Sequence, residues 1–146
     1  MIIIRPASEA DQKRIVAIIR EARINPMDLK WKNFALAVDE ATNEIVGTAQ
    51  IKTHRDGSRE LASIATRPAY QKQGIATRLI QRWLAQTQGP LYLVCMPDMG
   101  TFYEPFGFKR LADHALPPYF RRKKKLVKVF EVVSGDEQML VMVREG

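Results

Sequence analysis

The sequence predicts an α/β fold in which a mixed, mostly antiparallel twisted sheet is flanked by helices. Two apolar segments, residues 34–38 and 45–51, flank the polar stretch from Asp39 to Glu44 and read as an antiparallel hairpin with a longer turn. Two further apolar segments, 60–66 and 91–95, enclose an amphipathic helix, and a strand–helix–strand unit implies a right-handed parallel crossover. A chain of 146 residues with 46% hydrophobic content can also bury one proper core without disulfides or metal.

The elements follow in order. Met1-Ile2-Ile3-Ile4 reads as a first strand, and Arg5-Pro6 close it well before the apolar core of a signal peptide would be complete. Ser8 with Asp11 three residues later gives a capping-box-like helix start, and Ile15, Ile18, Ile19 and Ala22 recur at helical spacing behind it. Pro26 breaks that pattern, so residues 25–31 form a loop or short helix that offers a substrate rim. After the hairpin, the turn-rich Arg55-Asp56-Gly57-Ser58 leads into the strand 60–66, which Arg67-Pro68 stop. From Gly74 a helix runs to about Gln86 with Ile75, Leu79, Ile80, Trp83 and Leu84 on one face, and Gly89-Pro90 end it before the strand 91–95. Residues 98–104 are expected to make a short helix, Phe106-Gly107-Phe108 to open another strand, and 138–144 to form the last. Between them Pro117-Pro118, then Tyr119, Phe120, Lys123, Leu126, Val127 and Phe130 at helical intervals, and Ser134-Gly135 mark a helix, against which the β-branched Val127, Val129, Val132 and Val133 argue.

Charge and cysteine content narrow the classes. The net charge of +7 suits an anionic ligand, nucleic acid or an acidic surface, but much of it is local, in Arg121-Arg122-Lys123-Lys124-Lys125 with Lys128 behind. No apolar run approaches the roughly 18 residues of a membrane-spanning helix, so no membrane partner is expected. The single cysteine, Cys95, rules out an internal disulfide and a multi-cysteine zinc site and fits a reducing cytoplasm, the location assigned by default. His54 and His114 stand isolated in the sequence, and no metal is expected.

The junction of the strand 60–66 with the helix from Gly74 carries the chemistry. A loop entering a helix N-terminus offers unpaired backbone N–H groups and the positive end of the helix dipole, both suited to diphosphate oxygens. Gly74 allows close backbone approach, Ala76 is nearly as small, and Gln71, Lys72, Gln73 and Thr77 surround the turn with donors. A nucleotide P-loop is excluded because Gly74-Ile75-Ala76 supplies neither its lysine nor its magnesium-binding hydroxyl. By spacing alone, an ordinary turn remains the competing reading.

The full string, Thr66-Arg67-Pro68-Ala69-Tyr70-Gln71-Lys72-Gln73-Gly74-Ile75-Ala76-Thr77-Arg78-Leu79, closely resembles motif A of the GNAT family of N-acetyltransferases, whose core is Q/R-x-x-G-x-G/A. Downstream, Phe102-Tyr103-Glu104-Pro105-Phe106-Gly107-Phe108 resembles the family's tyrosine and Gly-Phe segment, and the order of elements matches across most of the chain except about 112–136. The resemblance implies a GNAT-like sheet splayed at the cofactor site, a single acetyltransferase domain over 1–146, and acetyl-coenzyme A as co-substrate. It implies that Ile64, Ala65 and Thr66 pair with the pantetheine arm and that Gln71, Lys72, Gln73, Gly74, Ile75, Ala76 and Thr77 hold the diphosphate. It further implies transfer to a primary amine of a small molecule or a protein by direct attack in a ternary complex. Tyr103 matches the family's general acid, Glu60 stands where some members carry a base, and a backbone N–H near Ile64 or Ala65 would stabilise the oxyanion. Homodimers are expected from the resemblance alone.

Competing readings stand beside these. Tyr103 could be an aromatic packed against Phe102, Phe106 and Phe108, Glu60 a solvated charge at a strand start, and Cys95 a small buried hydrophobe. The asparagine that many relatives place about seven residues before the tyrosine is replaced by the neighbourhood Cys95-Met96-Pro97-Asp98. That departure motivates an alternative, a non-catalytic acyl-coenzyme A sensor. The basic run motivates another, a nucleic-acid or ribosome-associated module, which the scarcity of interleaved aromatics disfavours.

Overall fold

The computed structural model describes residues 1–134 and 139–146, with the side chains of 127–134 left aside. Among the described residues there are seven strands, β1 (Ile2–Pro6), β2 (Phe34–Asp39), β3 (Glu44–Thr53), β4 (Arg59–Thr66), β5 (Leu91–Cys95), β6 (Lys109–Arg110) and β7 (Leu140–Arg144), and four α-helices. The helices are α1 (Gln12–Ala22), α2 (Ile75–Gln86), the single turn α3 (Gly100–Tyr103) and α4 (Pro118–Ser134). The strands hydrogen-bond in the order β1-β2-β3-β4-β5-β7-β6. Pairing is antiparallel for β1 with β2, β2 with β3, β5 with β7 and β6 with β7, and parallel for β4 with β5 at Glu60 opposite Tyr92. The mixed, mostly antiparallel sheet read from the sequence is the one found.

The chain divides into two compact units, one of residues 1–52 and 61–87, the other of 53–60 and 88–146. In the first unit, the apolar stripe of α1 (Ile15, Ile18, Ile19) is buried with Phe34, Leu36, Val38 and Ile45 of the hairpin and Ala65 of β4. The helix starts as its sequence implied. Asp11 accepts the Ser8 N–H at 2.8 Å, and one 3-10 turn over Glu9–Asp11 precedes α1. Arg5 and Arg14 both pair with Asp11 at 2.8 Å, so this buried carboxylate ties β1, the helix start and α1 together. Helix α2 lies directly on β3, because a Cβ on Gly47 would come within 2.8 Å of Ile75 Cγ2 and 3.2 Å of Leu79 Cδ1. Only glycine leaves room for that approach.

In the second unit, Leu116, Phe120 and Val141 form a buried cluster with Tyr92, Val94, Leu111 and Tyr119 packed against it. Helix α4 forms despite its valines, with Phe120 of its first turn fully buried in this cluster. Its expected end at Gly135, and residue 138 of the expected last strand, lie outside the described residues. The strand expected to open at Phe106 does not. Gly107 takes a left-handed conformation at φ 95°, closing a 3-10 turn, so pairing begins only at Lys109.

Candidate functional site

The β4–α2 junction is a loop braced on both sides by the β2–β3 hairpin. Arg67 donates to Glu44 at the start of β3, and its N–H donates to the Val46 carbonyl at 2.8 Å. Tyr70 donates its hydroxyl to Asp39, at the end of β2, at 2.9 Å. That bond lowers the Asp39 carboxyl from its ordinary range and raises the Tyr70 phenol. Beyond these anchors Lys72 (φ 64°) and Gly74 (φ 78°) are both left-handed, which turns the backbone into the first turn of α2. Gly74 is the helix N-cap and has no side chain to satisfy the first N–H groups. The first intrahelical bond runs from Arg78 N–H to the Gly74 carbonyl, so the amides of Ile75, Ala76 and Thr77 have no partner within the helix. No atom lies within 4 Å of where a Gly74 Cβ would stand. Amides without an intrahelical acceptor, at the positive end of a 12-residue helix and beside an uncrowded Gly74, are what an extended anion needs.

A cleft of about 380 Å³ adjoins this loop in the same unit, lined by Ile18, Glu21, Ala22 and Ile24 around α1 and by Ile64, Ala65, Thr66, Arg67, Pro68 and Gln71. The structure therefore gathers four of the expected cofactor residues, Ile64, Ala65, Thr66 and Gln71, at one concavity. Gln73 and Lys72 stand exposed on the loop beyond them. Ser63, just before this stretch, is left-handed at φ 55°, a conformation a serine in a strand rarely takes. Its carbonyl accepts the Thr48 hydroxyl at 2.8 Å and its Oγ accepts the Gln50 amide at 2.7 Å, which holds the irregularity in place.

In the second unit, Tyr103 ends the single turn α3 and is only 8% exposed. It packs edge-on against Phe102 and Phe108, with ring centroids 5.0 and 6.2 Å away. Burial, assisted by nearby Cys95, pushes its phenol up to about 12, so it stays protonated and able to donate across the physiological range. Cys95 is buried, and burial pushes its thiol up as well, as suits a small core residue rather than a nucleophile.

Glu60 is not the solvated charge that its place at a strand start allowed. It is 4% exposed, and its Oε1 lies 2.8 Å from His54 Nε2. His54 is correspondingly not isolated, as the sequence suggested, but stacked on Tyr119 of α4 at 3.4 Å. The missed signal was the turn, because residues 54 and 60 flank Arg55-Asp56-Gly57-Ser58 and a tight reversal brings them together. The basic run is partly structural too. Lys124 pairs with Asp113 and Arg121 donates to the Leu116 carbonyl, and with His114 and Lys125 they line an open cleft of about 350 Å³. Among the described residues no group of three or more His, Cys, Asp or Glu could hold a metal ion, and no helix is long and apolar enough to cross a membrane.

A strand–loop–helix junction with open helix amides, within a mixed α/β sheet, defines a class that comparison makes specific. Residues 30–110 match the family model described as "Acetyltransferase (GNAT) domain", and the chain belongs to that family. No curated protein matches it significantly. Solved structures of the same fold include N-acetylglutamate synthase from Neisseria gonorrhoeae complexed with coenzyme A and N-acetyl-glutamate (19% identity, TM-score 0.75). That alignment covers 99% of this chain and 35% of the synthase, so the chain spans about a third of that protein's length. Rv2747 from Mycobacterium tuberculosis in complex with coenzyme A (14% identity, TM-score 0.75) is covered over 99% of both chains. Escherichia coli ElaA (17% identity, TM-score 0.72) matches 99% of this chain and 100% of its own.

Proposed function

We propose that the protein transfers an acetyl group from acetyl-coenzyme A to a primary amine, of a small molecule or a protein, by direct attack in a ternary complex. The observation that carries this reading is the β4–α2 loop, with two left-handed residues, uncapped helix amides and open space at Gly74. The coenzyme supplies the acyl group as an activated thioester. On this reading the amides of Gly74, Ile75, Ala76 and Thr77 and the side chains of Gln71, Lys72 and Gln73 bind its diphosphate, while the backbone of Ile64, Ala65 and Thr66 pairs with its amide arm. An N–H of Ile64 or Ala65 donates to the oxyanion as it develops. Glu60 takes a proton from the incoming amine, and Tyr103, which is protonated at all working pH, returns one to the departing thiolate sulfur. The N–C bond forms as the C–S bond breaks, and the proton count balances between the two residues.

Binding and chemistry are tested separately. Thermal-shift titration with coenzyme A should raise the melting temperature selectively over ATP, a ligand at 100 times its Kd adding about 2.7 kcal/mol. The absence of a selective shift would refute the cofactor assignment. Tyr103→Phe is expected to lower kcat at least roughly 10-fold with little change in the KM for acetyl-coenzyme A, as loss of a general acid does. Undiminished turnover would remove Tyr103 from the chemistry.

A further inference from the structure

The most complete side-chain cluster not yet given a role lies where β3 turns into β4. Here His54 Nε2 stands 2.8 Å from Glu60 Oε1, with both side chains almost wholly buried. A Glu60 that serves as base can only accept, so on that reading the imidazole carries a proton on Nε2 and directs it at Glu60. The ring has little freedom to leave. One face is stacked on Tyr119 with centroids 3.4 Å apart and planes within 10°, and Phe120 meets it edge-on at 5.7 Å. Tyr119 is fixed in turn, its backbone N–H donating to Asp56 Oδ2 at 2.9 Å, while Lys123 Nζ lies 5.8 Å from its ring centre. Asp56 also accepts the N–H and hydroxyl of Ser58 at 2.9 and 2.6 Å. The turn closes through His54 N–H to the Ser58 carbonyl and Gly57 N–H to the His54 carbonyl, at 2.8 and 2.9 Å. The contacts thus form a ring from β4 through His54 and the first turn of α4 back to the β3–β4 turn.

We propose that His54 is a positioning residue for acetyl transfer, holding the Glu60 carboxylate in one orientation through its Nε2–H, with Tyr119 of α4 fixing the imidazole. This rests on the reading of Glu60 as the base. A buried carboxylate that rotates freely presents its accepting oxygen to the amine only part of the time, and general-base catalysis depends steeply on that alignment. With Oε1 engaged by His54, Oε2 is the oxygen that takes the proton. The first turn of α4, in the region that departs most from a minimal member of the family, acquires a role in the reaction without touching substrate.

Steady-state kinetics of the full chain with acetyl-coenzyme A and an accepted amine test the proposal, in His54→Leu, His54→Gln, Glu60→Gln and the Glu60→Gln/His54→Leu double variant. His54→Leu should lower kcat roughly 10-fold or more, with the KM for acetyl-coenzyme A within about twofold of wild type. His54→Gln keeps an N–H donor of similar reach and should recover most of that loss. The double variant should be no slower than Glu60→Gln, since a residue that acts only through Glu60 has nothing left to orient. Turnover of His54→Leu within about twofold of wild type, equal losses in His54→Gln and His54→Leu, or losses that multiply in the double variant would each overturn the proposal. If His54→Leu does not fold, Tyr119→Leu removes the stack and leaves the pair, and unchanged kcat there overturns it as well. Full activity in Glu60→Gln would sink the base assignment together with the proposal, whereas a slow Glu60→Gln beside a fast His54→Leu would sink only the proposal.

Discussion

Replacing Gly74 by alanine separates an anion site from an ordinary turn. Gly74 is left-handed at φ 78°, and a Cβ there meets nothing within 4 Å. The methyl group therefore clashes with no protein atom, and its cost to folding is the strain of an L-residue in that conformation, about 1–2 kcal/mol. For a chain near 150 residues that lowers the melting temperature by roughly 2–8 °C. Gly57 is a matched control, also left-handed at φ 87° and also with nothing within 4 Å of a built Cβ, but in the β3–β4 turn. Gly57→Ala should show a similar thermal shift. Coenzyme A affinity, measured by calorimetric titration on folded protein, should distinguish the two. On the proposed reading the Gly74 methyl intrudes where the diphosphate approaches the helix amides, so Gly74→Ala should weaken binding about 10-fold or more, a loss of at least ~1.4 kcal/mol. Gly57→Ala should bind as wild type. Equal affinities in the two variants would refute the reasoning.

Other expectations follow from the same geometry. Gly47→Ala drives a Cβ to 2.8 Å from Ile75 Cγ2, so it should destabilise by about 1–3 kcal/mol in chemical denaturation and weaken coenzyme A binding as α2 shifts. Asp11 is held well below the ordinary carboxylate range by hydrogen bonds from Arg5 first, then opposed by burial and reinforced by Ser8 and Arg14. Its native pKa lies below its unfolded value, so its contribution is present above about pH 4 and is lost as pH falls further. Asp11→Asn should cost about 2–3 kcal/mol at neutral pH and flatten the acid limb of the stability curve. Tyr103 shifts the opposite way, from an unfolded value near 10 to about 12 in the native state. Its contribution, on the order of 2 kcal/mol, is complete below pH 10 and lost as pH rises towards 12, and Tyr103→Phe should remove that component from an alkaline stability titration.

Local pattern made some of this legible and distance hid the rest. Helix α2 and its loop could be read because Ile75, Leu79 and Ile80 repeat at helical spacing behind a glycine, and all three are buried where the spacing put them. The α1 start was equally local, resting on two residues three apart. The hairpin 34–51 followed from apolar segments around a polar turn. By contrast, the left-handed Ser63 had no signal, because no glycine marks it and its support comes from Thr48 and Gln50 on the neighbouring strand. Glu60's partner His54 is held by Tyr119 and Phe120 from a helix some sixty residues away, which no window of sequence brings together. Insertion of β7 between β5 and β6 is likewise a long-range pairing. The shortness of β6 was readable in principle, since Gly107 sits where a turn ends rather than where a strand starts.

Acetyl transfer itself is measured most directly by incubating the purified chain with acetyl-coenzyme A and a panel of primary amines, from small polyamines and amino acids to peptides with free N-termini and lysines. Free thiol and the mass of each amine are followed over time. Amine-dependent thiol release matched mole for mole by an acetyl group on nitrogen is the expected result. Tight coenzyme A binding with no acetylated amine above the uncatalysed background would contradict it and leave a protein that binds the thioester without turning it over.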